Sequence, residues 1–485
     1  MQTTTSCNTS SLSVYVPSAA NPWNKQKVSH LYRRLHFGAS NSEITQALTQ
    51  TPEALIDSIV NAAVASPITP TPSWSTSTYD DFINAGLDPD EEIQNGHREM
   101  ELDFLNQFLN NGLHARLTLF WSNHFVTELE SYYCSSFLWE YYETLQLNAL
   151  GNFQDFVRAM GTTNAMLVYL NGLENASYSP NENYARELYE LFTLGVNNGY
   201  TQNDIVETAK ALTGYNGYNG FCAAFSFNQN SFNDTNKTIF NQTGNWGYDN
   251  VIDILFQEKA PLIASFVCEK LYKYFVSPTV NDAIVQDMAN IFVQDFNIEN
   301  ILRVLFKSEH FFDSLSIGTL IKSPYDLTIN FLKVTGFTVT ENFKGDLIYL
   351  NGVAGQRLFN PVDVAGWQGD RDWINSSTLT GRWELMEYMM WTIYSADNNV
   401  MRTFAIETAG DINDPYIITK AIIDKFSPKE LHTVTDYNIA TDIFKADVPQ
   451  NYYDDGSWSL YWGSAPYQVY LLLTHINKIP EFQLK

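Results

Sequence analysis

The stretch SPNENYARELYELFTLG, Ser179 to Gly195, decides how the chain is read. Its serine is a residue type that caps free backbone N–H groups. Pro180 fits a first helical turn, and Glu182 stands where an acid bonds back to the cap. A 3.6-residue period follows. Glu182, Asn183, Arg186, Glu187, Glu190 and Thr193 share one arc of a helical wheel, and Tyr184, Ala185, Leu188, Leu191 and Phe192 the opposite arc. The spacing predicts an amphipathic helix stopped by Gly195. The same start recurs at SPYD (Ser323 to Asp326) and SPKE (Ser427 to Glu430). Close relatives are TPEAL from Thr51, SNSE from Ser40 and TQND from Thr201, the last with Gly214 as its stop. The expected fold is mostly α, a large multi-helix body.

Two regions break this grammar. Cys222 to Gly247 has short alternating runs around a polar turn and predicts a β-hairpin or paired extended loop. Phe337 to about Ser377 holds NPVDVAGWQGDRDWINSS and predicts a Trp-rich irregular loop. The chain then divides into an N-terminal extended segment (1–26), a helical lobe (27–215) and the hairpin insertion (216–250). A second helical region (251–336), the Trp-rich loop (337–380) and a C-terminal helical region (381–485) follow.

Of 485 residues, 45% are hydrophobic and 14% aromatic, enough for a sizeable core. There are 54 acidic and 28 basic residues, a formal net charge of −26. That field repels phosphate backbones and anionic membranes, so nucleic acid is excluded as a partner. No run approaches the length of a membrane span. The start, MQTTTSCNTSSLSVYVPSAANPW, has neither the basic nor the apolar region of a signal peptide. Cytoplasmic residence, or co-export to the periplasm or cell surface with a signal-bearing partner, is expected. Cys7, Cys134, Cys222 and Cys268 form no metal-binding spacing and read as isolated small buried hydrophobes.

Three constellations carry candidate chemistry. Glu182, Glu187 and Glu190 outnumber Arg186. Exposed, they are a wet helix face with weak ion pairs; buried, their excess charge needs a metal, protonation or further cations. HARLTLFWSNHFVTELE, His114 to Glu130, is apolar nearly all round and predicts a buried helix, in which Asn123 and His124 need partners. If that helix faces the carboxylates, His124, Glu187 and Glu190 are the catalytic candidates. Glu182, Glu187, Glu190 and His124 would then hold a divalent metal, and Asn123, Asn183 and Arg186 would bind substrate. Trp367 and Trp373 are either wedges into the core or a platform for a sugar or peptide. KLYKYFV, Lys270 to Val276, reads as an amphipathic helix end. Phosphate-loop, GxSxG, HExxH and ExxH patterns do not occur at these positions.

Taken in order, HLYRRLHFGAS (from His30), FWSNHF (from Phe120), NALGNFQDF (from Asn148) and PNENYARELYELFTLG (from Pro180) form a recognisable series. YTQNDIVETAKALTGY (from Tyr200), IKSPYDL (from Ile321), VAGWQGDRDWIN (from Val364) and PEFQLK at the end continue it. The chain resembles the bacterial domain-of-unknown-function family 1800 nearly end to end. The resemblance implies no established activity. It implies frequent export and genes adjacent to those of family 1501, whose members look like alkaline phosphatases or sulfatases. A cell-envelope protein with such a protein as partner is therefore expected. Ser122 and Asn233 stand where the family commonly has histidine, which counts against catalysis in this member. Three functions are open: an interaction protein for a secreted partner or surface polymer, a metal-assisted hydrolase with a His/Glu site, and carbohydrate binding through the Trp-rich loop.

Overall fold

The computed structural model describes residues 11–485. Cys7 and the first ten residues of the expected extended segment lie outside the described residues. The fold is mostly α, with 23 α-helices and a single two-stranded antiparallel sheet among the described residues. The sheet, Lys237–Ile239 paired with Gln242–Gly244, falls where the alternating runs predict a hairpin. One continuous apolar core runs from Tyr15 to Phe482. Among the described residues no helix is long and apolar enough to cross a membrane.

The helix-start grammar holds where a short side chain closes the first turn. Ser40, Thr201 and Ser323 form full capping boxes with Glu43, Asp204 and Asp326, and Thr51 accepts from the Ala54 N–H. It fails at two places. Ser179 donates its N–H to Ala176 O at 2.9 Å in an isolated bridge, so the first helical residue is Asn183. Ser427 follows the helix Pro415–Phe426, and its carbonyl accepts from Arg33 at 3.1 Å, so SPKE ends a helix rather than starting one. The helix after Thr201 stops at Ala211, short of Gly214. The region from Phe337 also holds a regular helix, Glu341–Val353, begun by the Thr340 cap and hidden in the sequence by Gly345 and Gly352.

The helices that build the site are α1 (Lys25–His36), α2 (Gly112–Ser122), α3 (Asn183–Glu187), α4 (Tyr248–Phe275) and α5 (Pro324–Thr335). Every residue of α2 is buried, as an all-round apolar helix must be. It ends at Ser122, however, so Asn123 and His124 lie in the turn that follows it and not inside a continuous helix to Glu130. After α3 the chain does not stay α. Leu188–Thr193 forms a π-helical turn, with Leu194 N–H donating to Tyr189 O at 2.8 Å. The wider turn rotates Thr193 off the polar arc. It is buried, and its hydroxyl donates to Leu188 O at 2.5 Å.

The cysteine reading needs correction. Cys134 and Cys222 are joined in a disulfide across 88 residues, with Cα atoms 5.4 Å apart, and only Cys268 is a free buried thiol among the described residues. Spacing held no sign of this, because the fold, not the sequence interval, brings the hairpin insertion to the start of the helix Ser135–Asn148. A closed loop of this length stabilises by about 4–5 kcal/mol in the chain-entropy picture. Alkylation of denatured, unreduced protein should leave Cys134 and Cys222 unlabelled in peptide mass spectra. Reduction should expose both and lower the calorimetric midpoint by several degrees; labelling of both before reduction would refute the bridge.

Candidate functional site

Two sequence-distant segments are joined by one side chain. Asn123 donates from Nδ2 to Trp367 O at 2.9 Å and accepts at Oδ1 from Trp367 N–H at 2.6 Å. The amide thus pairs with the backbone of the Trp-rich loop as a neighbouring strand would. Gly366 makes room for it. Its φ is +74°, and a Cβ there would lie 2.3 Å from Asn123 Oδ1. Trp367 and Trp373 are both packed into the core, as wedges are, and each also lines part of a cavity.

His124, 3% exposed, reaches the other segment. Its Nε2 lies 3.0 Å from Phe192 O, in the last turn of the π-helical segment. A carbonyl only accepts, so Nε2 carries the proton and Nδ1 offers the lone pair. Lys270 Nζ fills it at 3.2 Å and also donates to Leu191 O at 3.0 Å. Burial first, then the Lys270 charge, hold His124 well below the usual histidine range, against the pull of the Phe192 carbonyl. The pair caps the terminal carbonyls of the segment that began as PNENYARELYELFTLG, where positive groups are favoured. The Asn-His turn and the Glu-rich helix do meet, but through backbone carbonyls and not through carboxylates.

The glutamates point elsewhere. Arg186 bridges Glu182 at 2.9 Å and Glu190 at 3.6 Å, with side chains 35%, 37% and 20% exposed. Gln202 donates to Glu182 and Tyr200 to Glu190. Asn183 donates from Nδ2 to Asn171 at 3.1 Å. Glu187 is half-buried, and burial and the neighbouring Glu190 raise its pKa against Arg186. Partial exposure means that the charge excess needs no buried counter-ion. Among the described residues no three His, Cys, Asp or Glu side chains gather to hold a metal. The set Glu182, Glu187, Glu190 and His124 therefore does not converge, and both His124 nitrogens are taken. Ser122 turns its hydroxyl back to Leu119 O, and Asn233 accepts from Thr235.

What Asn123 and His124 do border is a cavity of about 550 Å³. Its walls combine the α2 end, Lys270, Lys273 and Tyr274 of α4, Asp326 of α5, the loop Ala365–Trp373 and Lys485. Asp326 accepts from Arg116 at 2.8 Å and also from Lys485. Burial opposes ionisation, but Arg116 and then Lys485 hold this carboxyl below the usual carboxylate range. Lys270, Lys485, Arg116 and Asp326 were missed in sequence. The KLYKYFV pattern, with lysines three residues apart among aromatic and aliphatic residues, is the available signal for the first.

Residues 30–484 match the family model described as Protein of unknown function (DUF1800). The chain belongs to this family. No curated protein matches it, and no solved structure does. Nearly the whole of this DUF1800 chain is covered, including the Asn123 turn, the π-helical segment, Lys270 and the Trp-rich loop.

Asn123→Ala leaves the Trp367 N–H and C=O unpaired, at about 1–3 kcal/mol each. The expected result is a lower midpoint with faster amide exchange across 363–373; unchanged exchange there would break the account. Asp326→Asn should cost about 3–5 kcal/mol at neutral pH, because it leaves buried cations without their anion. The folded carboxyl titrates below its unfolded value. Its stabilisation is therefore complete above about pH 4 and is lost as pH falls through the folded pKa. In urea titrations the gap between the wild type and Asp326→Asn should shrink below that pH; a constant gap would contradict the assignment.

Proposed function

We propose that this chain is a recognition protein of an oxidising, extracytoplasmic compartment, and that it engages its partner at the cavity under the loop Ala365–Trp373. The observation that carries the reading is how the polar atoms around the cavity are used. Asn123 holds backbone at both ends of its amide, and His124 has one nitrogen on a carbonyl and its only lone pair on Lys270. A general base needs a lone pair within reach of substrate. The rest of the cavity wall mixes charged groups with aromatic and aliphatic side chains such as Tyr274, Leu320 and Ile321, the inventory of a binding site.

The Cys134–Cys222 bridge supports the compartment, since stable disulfides belong to oxidising environments. The partner favoured by the family resemblance is a secreted protein of the alkaline-phosphatase or sulfatase type, with a surface polymer as the other choice. The test mixes purified chain with the neighbouring family 1501 protein and follows complex formation by light scattering and calorimetry. A complex with the wild type that weakens at least about tenfold with Gly366→Ala, its circular dichroism unchanged, is expected. Two species that stay separate at high concentration would remove this partner, and a complex indifferent to Gly366→Ala would remove the cavity from the contact.

A further inference from the structure

We propose that the cavity seats an oxyanion group, a carboxylate, phosphate or sulfate, against the ammonium of Lys270. This rests on the cavity being a recognition site and names what it recognises.

The argument begins with unanswered charge. Lys270 Nζ donates to His124 Nδ1 and to Leu191 O, both neutral acceptors, and stands 4.7 Å from the Phe266 ring centroid. An ammonium has three N–H groups, so one remains for the cavity that Lys270 lines. The charge that acts on it comes from Lys273, another cation. Its neighbours in the wall are already matched: Lys273 bridges Glu269 at 2.5 Å, and Lys485 contacts Asp326. A desolvated cation without a counter-ion either sheds its proton or takes up an anion. Burial and Lys273 pull Lys270 only to about 8, so it keeps its charge at neutral pH.

The surroundings reinforce this. Arg116 and Arg382 are buried around Asp326, which is the one buried side-chain carboxylate among the described residues. The loop adds Arg371, exposed at the mouth, whose planar fork suits carboxylate and phosphate oxygens. Asp370 and Asp372 flank it, half-buried and exposed, where solvent and salt screen them. The volume, about 550 Å³, is that of a small-molecule site, so the oxyanion comes with an organic body of modest size. It arrives either as a free ligand or as a substituent on the partner.

Calorimetry of the full chain with benzoate, phenyl phosphate and phenyl sulfate tests this, with benzyl alcohol and benzylamine as neutral and cationic controls. At least one anion should bind and both controls should not. Lys270→Met should lose about ten- to a hundredfold in affinity, as for a hydrogen bond to a charged group, and Lys270→Arg should keep most of it. Because Lys270 also caps the π-helical segment, a second readout uses the wild type alone. The bound anion should slow reductive methylation of Lys270 several-fold, with Lys25 as the unaffected control. Displacement of the partner by the anion would assign the group to the partner, and coexistence would assign it to a free ligand. Anions that fail at millimolar concentration, controls that bind equally, or Lys270→Met binding like the wild type would each overturn the inference. Recognition would survive that failure if the partner complex still formed.

Discussion

Asp326 is the one buried side-chain carboxylate among the described residues, and much of the interior is arranged around it. Arg116 brings α2 to it, Lys485 brings the last residues of the chain, and the Ser323 N–H donates to it as the cap of α5. Arg116 also donates to Arg33 O and so ties α1 to the same point. The tail is held by main chain as well: Lys485 N–H donates to Leu320 O and Lys322 N–H to Gln483 O, each at 2.8 Å. Removing the carboxylate would leave several elements converging on like charge.

This centre reverses the outward appearance of the protein. The sequence carries an excess of acid, −26 in all, yet Lys27, Arg33, Arg34, Arg116, Lys237, Lys322, Arg382, Lys425 and Lys485 are buried. Nine basic side chains lie inside against one buried side-chain carboxylate among the described residues. Backbone carbonyls make that tolerable: Arg33 donates to Lys425 O and Ser427 O, Arg382 to Lys322 O, and Lys322 to Phe482 O. Carbonyls solvate a cation without neutralising it; burial pulls the Lys322 and Lys485 ammonium groups down, so the lasting positive charge of the interior sits on the arginines. Net charge therefore weighs against polyanions at the surface but is silent about the cavity.

Local chemistry was legible and long-range pairing was not. Ser40, Thr51, Thr201 and Ser323 cap helices because the cap and its acid are three residues apart. The hairpin was legible for a similar reason. Ser179 and Ser427 have the same letters, but distant or neighbouring backbone groups claim them first. The π-turn at Leu188–Thr193 has no signature in a wheel drawn at 3.6 residues per turn, so that wheel puts Thr193 on the wet arc while the fold buries it. The Cys134–Cys222 bridge and the Asn123–Trp367 pairing span 88 and 244 residues, and no interval in the sequence encodes either.

The π-turn also explains why a histidine and a cluster of glutamates so close in the fold do not form one site. A helix that ends in a wide turn presents its last carbonyls sideways, and here those of Leu191 and Phe192 meet Lys270 and His124. The carboxylates leave from the opposite side of the same segment, toward Gln202 and Tyr200. Satisfying two carbonyls uses both nitrogens of the histidine, one directly and one through the lysine, and holds the ring neutral. The lysine cannot be neutralised by the same partners, because each offers it only a lone pair. The cost of ending this helix inside the protein is thus a cation left facing the cavity, and that residual charge is the chemical character the cavity presents to whatever enters it.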